Sequence, residues 1–265
     1  MKLGIIAEPC EQSFIDAKKR KLDVLEFCLH PTFGMDKSLK KLEVIRGLKP
    51  YIKRYGIDVA AISVWATDKI DEKGNLIKNE LELGYKLIDA ANNIGCTNVV
   101  TSCNYVEGLS YYENCSKAIE YFEKLIEYGK PKKVKISTYN CRWNNFVHSD
   151  MAWTIIHGHL KNLGIKYDPS HAVYNEGKYL AEMKKWAHRF YHVHLKGAMK
   201  INDKRFDDPP IGMDEIDWGK FMAILYAMKY EDALCLEPHS ENWEGELGEK
   251  GIDFSINYIK PYILD

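Results

Sequence analysis

A (β/α)₈ barrel formed as one domain over residues 1–265 is the fold that the sequence predicts, and three observations predict it. Eight short apolar runs rich in β-branched residues alternate with longer amphipathic stretches from one end of the chain to the other. Glycines stand where helix-like stretches should stop, just ahead of the next apolar run. The turn after the first run, Ala7-Glu8-Pro9-Cys10-Glu11-Gln12-Ser13, holds no Gly-rich phosphate loop, and neither a GxGxxG nor a Walker-type motif occurs elsewhere. That absence sets aside an open, doubly wound sheet.

The expected strands are 2–7, 24–29, 59–65, 98–104, 134–140, 165–171, 190–196 and 233–239, each read as buried on both faces. Between them, apolar residues recur three and four apart. Leu39, Leu42, Ile45, Leu48 and Ile52 make one helical stripe, and Ile119, Phe122, Leu125 and Ile126 make another. Gly56, Gly95 and Gly164 are the expected helix stops. The longest irregular stretch, 198–217, follows the seventh strand and is expected to project over the barrel face where chemistry occurs.

Composition narrows the function classes. Hydrophobic residues make up 46% and charged residues 28% of the chain, and the formal net charge is −1, so no basic surface suits a nucleic-acid backbone. Basic clusters such as Lys18-Lys19-Arg20 and Lys132-Lys133 read as solvated helix faces. Seven scattered cysteines without a CxxC pair point to reduced thiols and a cytoplasmic protein. Neither a signal peptide nor a membrane span is evident. No apolar stripe specifies a partner, which leaves a homo-oligomer open.

The ends of the last three strands carry the chemistry. Asp168-Pro169-Ser170-His171 follows the sixth, His192-Val193-His194-Leu195-Lys196 closes the seventh, and Glu237-Pro238-His239 closes the eighth. An Asp, a His and a Glu on adjacent strands form an N/O ligand set suited to Mn, Mg, Co or Zn. The alternation of side chains along a strand leads to the expectation that only one imidazole of the His192/His194 pair enters the pocket. His194 is favoured, with Lys196 on its side. A carboxylate such as Glu237 after four apolar residues is costly to bury without a partner.

The order D-P-S-H, H-V-H-L-K, G-x-x-E-I-D-W and L-E-P-H resembles the sugar-phosphate isomerase/epimerase family of xylose-isomerase-like barrels. This superfamily includes ketose 3-epimerases and, more distantly, apurinic endonucleases. The resemblance implies Asp168, His194 and Glu237 as metal ligands, with Glu237 also the base and His171 a neighbouring pocket residue. It places Lys200 at a substrate-touching cationic position and matches Gly212, Glu215, Asp217 and Trp218 to a loop entering the next helix. The family usually ends its fifth strand with a glutamate that is a ligand and second acid/base. Here Tyr139 takes that place.

With an ordinary pKa near 10, a tyrosine donates a proton at pH 7 but seldom removes one. The two-base epimerase scheme is thereby handicapped. One-base chemistry is expected instead: Glu237 removes a proton alpha to a carbonyl, and His171, Lys200 or Tyr139 returns one. Trp65, Asn140, Trp143 and Lys196 are the expected substrate contacts, while His30 and Asn104 are weaker candidates. Trp153, Trp186 and Trp243 read as packing. The expected function is a metal-dependent sugar isomerase or epimerase acting on a small sugar or keto-sugar. The alternatives are a dehydratase or lyase on the same site, or a sugar-binding barrel without turnover. An endonuclease is disfavoured, because Ser63-Val64-Trp65 and Ser102-Cys103-Asn104 bring no further histidines.

Overall fold

The computed structural model describes residues 1–30, 34–175 and 178–264. Eight parallel strands close into a barrel: β1 (Lys2–Ile6), β2 (Val24–Leu29), β3 (Asp58–Val64), β4 (Asn98–Thr101), β5 (Lys135–Tyr139), β6 (Leu163–Tyr167), β7 (Phe190–Leu195) and, after a hairpin, β10 (Ala233–Leu236). Around the barrel they run β1-β10-β7-β6-β5-β4-β3-β2, so β10 closes the ring between β7 and β1. The expected barrel is present with every expected strand.

Local departures have local causes. The sixth run is strand only through Tyr167 and then turns into a short helix, Pro169–Tyr174. Pro169 suits the first helical position, and Asp168 caps the helix by accepting from the Ser170 N–H at 2.9 Å. The stripe from Leu39 to Ile52 divides into two helices, Gly34–Arg46 and Lys49–Tyr55, with Pro50 opening the second. Gly56 and Gly95 end helices at φ 66° and 78°, as expected. Gly164 does not stop a helix. It lies inside β6, where an added Cβ would overlap the Tyr191 ring, so its role is close approach.

The stretch 198–217 is also more ordered than expected. β8 (Met199–Ile201) pairs antiparallel with β9 (Lys204–Asp207). Asn202 and Asp203 turn the hairpin at φ 53° and 60°, the double left-handed conformation that two-residue hairpins prefer. Among the described residues no helix is long and apolar enough to cross a membrane.

The main core lies between strands and helices, with Leu25, Phe27, Leu29, Ile62, Val99, Ile136 and Ile165 facing outward onto it. The inward faces are different. Glu26 on β2 touches His192 and His194 on β7, although β1 and β10 separate those strands in the ring, so the contacts cross the barrel interior. Below them Val24, Ala233 and Cys235 form a small apolar plug. The lumen is therefore polar towards the C-terminal ends of the strands, and this positions the site.

Candidate active site

Three residues expected as ligands come together. Ligand atoms of Asp168, His194 and Glu237 lie within 4.8 Å of one another at the C-terminal ends of β6, β7 and β10. Strand register explains the grouping. Cys235 pairs with His194, so Glu237, two residues beyond, comes level with the end of β7. Its N–H is held by the Leu195 carbonyl at 3.1 Å.

His194 joins two carboxylates. Its Nδ1 lies 2.6 Å from Glu237 Oε2 and its Nε2 lies 2.7 Å from Glu26 Oε2. An ionised carboxylate only accepts, so a ring that donates from both nitrogens, an imidazolium, is the form that satisfies both contacts. Burial opposes that charge, but Glu26, reinforced by Glu237, raises the His194 pKa above its ordinary value. His192 also points into the lumen, with Nε2 2.5 Å from Glu26. The expectation that only one imidazole enters is corrected by the pleat itself, since residues two apart share a face. Burial lowers the pKa of His192, whose main charged partner is Glu26.

Glu26 is the residue that sequence reasoning missed. It is buried and accepts from Ser63 Oγ at 2.5 Å in addition to the two imidazoles. Burial alone would protonate it; His194 and His192 outweigh that and hold its carboxyl well below the usual range. The signal was a carboxylate inside the apolar run Val24–Leu29, the same signal that singled out Glu237.

Two lysines complete the centre. Lys196 was expected there as a substrate contact; Lys166 was not singled out. Lys196 Nζ lies 3.2 Å from Asp168 Oδ2, and both ammonium groups lie 3.9 Å from Glu237 Oε2. Lys166 also sits 5.1 Å over the Trp65 ring. Burial works against every charge here. Even so, Lys196 and His171 draw the Asp168 pKa down to about 2, and Lys196, Lys166 and His194 hold Glu237 well below the carboxylate range. Asp168 and Glu237 in turn raise Lys196 above its ordinary value. Asp168 is wholly buried, whereas the Glu237 side chain keeps 18% of its surface accessible.

The other expected residues divide. Tyr139 is buried beside Trp65, ring centroids 4.8 Å apart; its hydroxyl accepts from the Ala66 N–H at 2.9 Å and donates to the Trp143 carbonyl at 3.3 Å. Burial pushes it up to about 12, so it is neutral. His171 Nε2 lies 3.3 Å from Asp168, but burial and then Lys196 drive its pKa down to about 3, leaving it neutral too. The Asn140 amide is used by the Asp168 backbone at 2.8 and 3.0 Å. Trp143 is half-exposed, its ring 5.3 Å from that of His30. Lys200 is on the hairpin, half-exposed, where its N–H donates to Glu215 at 2.8 Å. Asn104 is structural, holding the backbone at Lys69 and Ile70.

By distance, Asp168, His194 and Glu237 form a cluster that would accept a shared ion. The charges around it do not suit a divalent one. Unit charges 4 Å apart at an effective dielectric near 20 interact by about 4 kcal/mol; a divalent ion doubles its attraction to each carboxylate but also its repulsion from each ammonium already paired with them. Both ring nitrogens of His194 already face carboxylates, and the strand-5 position supplies a neutral Tyr139 rather than a carboxylate. The donor set as it stands fits a divalent metal poorly.

Several solved structures share this architecture. D-allulose 3-epimerase from Methylomonas sp. superposes with a TM-score of 0.74 at 15% identity, covering 99% of this chain and 98% of its own. L-ribulose 3-epimerase gives 0.75 at 16%, covering 98% and 94%. The 3-keto-D-glucoside 4-epimerase of E. coli gives 0.75 at 15%, covering 98% and 99%. At these identities the likeness establishes the fold. None of the curated proteins matches the sequence. The family model described as xylose isomerase-like TIM barrel matches residues 14–262, nearly the whole chain, and this protein belongs to that family.

Proposed function

We propose that the protein is a sugar isomerase or epimerase that removes a proton alpha to the carbonyl of a small sugar or keto-sugar, with Glu237 as the base. The observation that carries this reading is the unequal access of the carboxylates. Asp168 and Glu26 are sealed, while Glu237 is ionised and still reaches the open end of the barrel. An ionised carboxylate with access to the open end can take a proton from substrate, and the cations that hold its pKa low are the groups that must turn to the substrate oxygen for it to do so. The ketose-epimerase names of the structural neighbours support a carbohydrate as substrate.

In this reading Tyr139, neutral and buried against Trp65, returns a proton rather than takes one, releasing its hydrogen bond to the Trp143 carbonyl to do so. Trp65 and the half-exposed Trp143 offer ring faces for sugar C–H groups. Asp168 serves by its charge and by capping the helix that begins at Pro169. Elimination of a β-substituent would share the first step, and product analysis separates the two.

The test is solvent deuterium uptake into a panel of ketoses and aldoses, followed by NMR. Wild-type protein should place label alpha to the carbonyl of at least one sugar. Glu237→Gln should lower the rate by about 10²–10⁴-fold, the usual contribution of a positioned base, while keeping the wild-type circular dichroism spectrum. Uptake retained by Glu237→Gln would refute the assignment.

A further inference from the structure

The residue at the end of β5 and the two lysines belong to one physical pattern. Tyr139 pairs in register with Lys166 across β5 and β6, so the strand that ends in a neutral side chain sits beside one that sends an ammonium into the same lumen. Lys196 enters from β7 and comes to 3.2 Å from Asp168 Oδ2. Both ammonium groups stand 3.9 Å from Glu237 Oε2. The two carboxylates at the mouth, buried Asp168 and partly accessible Glu237, therefore have two fixed positive charges as neighbours. A lysine side chain is shielded from water at a considerable desolvation cost, and two of them converging on one carboxylate pair is not a packing accident.

We infer that Lys166 and Lys196 take the place of a divalent cation, and that the centre formed by Asp168, His194 and Glu237 operates without a bound metal. Two ammonium groups carry the same total charge as one divalent ion. They balance the two carboxylates as the protein folds, and they present N–H donors to an oxygen that becomes negative when Glu237 takes a proton from the neighbouring carbon. In that step the C–H electron pair becomes the new C=C bond, the C=O π pair moves to the carbonyl oxygen, the proton goes to a Glu237 oxygen, and the oxyanion is held by charge-assisted hydrogen bonds in place of a metal–oxygen bond. The chemical role rests on the proton-abstraction reading above; the displacement of a metal rests on the charge geometry alone.

The experiment is titration of chelator-treated protein with MnCl₂, followed by electron paramagnetic resonance of free Mn²⁺. Wild-type protein should show no site tighter than about 1 mM. Lys166→Met, Lys196→Met and the double variant should each gain affinity, by about tenfold or more for the double variant, because the carboxylates lose their built-in counter-charge. One tight Mn²⁺ per wild-type chain would overturn the inference, whatever the variants do. Folded variants that gain no affinity would overturn it as well. Circular dichroism establishes which variants fold, and the wild-type titration decides the matter if none does. Failure of the proton-abstraction reading registers separately, as absent deuterium uptake, and leaves the Mn²⁺ result unaffected.

Discussion

Replacing Glu26 by glutamine is the most direct perturbation of the inner network. The carboxylate accepts from Ser63 Oγ at 2.5 Å, His192 Nε2 at 2.5 Å and His194 Nε2 at 2.7 Å. A glutamine oxygen can still accept from Ser63, but its NH₂ then meets two imidazole N–H groups, and two charge-assisted bonds of about 1.5–3 kcal/mol each are lost. His194 recovers part of this by releasing its Nε2 proton and accepting from the amide. A net loss of about 3 kcal/mol remains, at the low end of what breaking a buried charge pair costs. For a chain of this size each kcal/mol lowers Tm by roughly 2–4 °C, so Glu26→Gln should melt on the order of 10 °C below wild type at pH 7 by circular dichroism. Nitrogen NMR of the His194 ring should change from imidazolium to a neutral tautomer in the same variant. A Tm drop smaller than about 3 °C, with His194 still charged, would refute the network as described.

Two further predictions test the neighbouring groups. His157 is buried between Thr138 Oγ1 and the Gly164 carbonyl, and burial brings its pKa down to about 3. Between that value and about 6.5 the unfolded chain binds a proton that the folded chain refuses, so its contribution to stability is full above pH 6.5 and falls as pH drops towards 3. His157→Gln should flatten that part of the pH profile of the urea midpoint, and an unchanged slope between pH 6.5 and 4 would contradict the assignment. Tyr139→Phe removes the acceptor of the Ala66 N–H and the donor to Trp143, for a destabilisation of about 1–2 kcal/mol. If Tyr139 returns the proton, this variant should keep deuterium uptake at the Glu237 step while net turnover falls by about 10²-fold or more; turnover at the wild-type rate would exclude that role.

The barrel was legible because it depends on patterns that the chain repeats eight times. Each strand is an apolar run, and each following helix carries a stripe, so an error in one element leaves the class intact. Single residues decided the places where reading and structure parted. Pro169 ended β6 early because a proline can open a helix but cannot continue a ladder. Asn202-Asp203 made a hairpin inside a stretch whose composition resembles a loop. Within the site, Asp168, His194 and Glu237 stood out because polar residues closed three successive strands. Glu26 and Lys166 did not, because each sits mid-strand: the cost of burying such a charge was legible, but its partners come into view only once the ring is closed and β2 meets β7 across the lumen.

The fifth strand shows why a departure from a family pattern is better judged by its surroundings than alone. A neutral tyrosine where the resemblance leads one to expect a carboxylate suggests a damaged site if every other residue is assumed unchanged. In this barrel Tyr139 stands next to Lys166 in register, Lys196 reaches both Asp168 and Glu237, and His194 reaches Glu237 as well. Restoring only the carboxylate, by Tyr139→Glu, would place a third acid against ammonium groups that Asp168 and Glu237 already engage. On the metal-free inference, adding a metal alone would set a divalent charge among cations. Neither change is favourable by itself. The tyrosine and the lysines are thus mutually consistent as one arrangement of charge, and a site whose parts agree in this way is better read as adapted than as decayed.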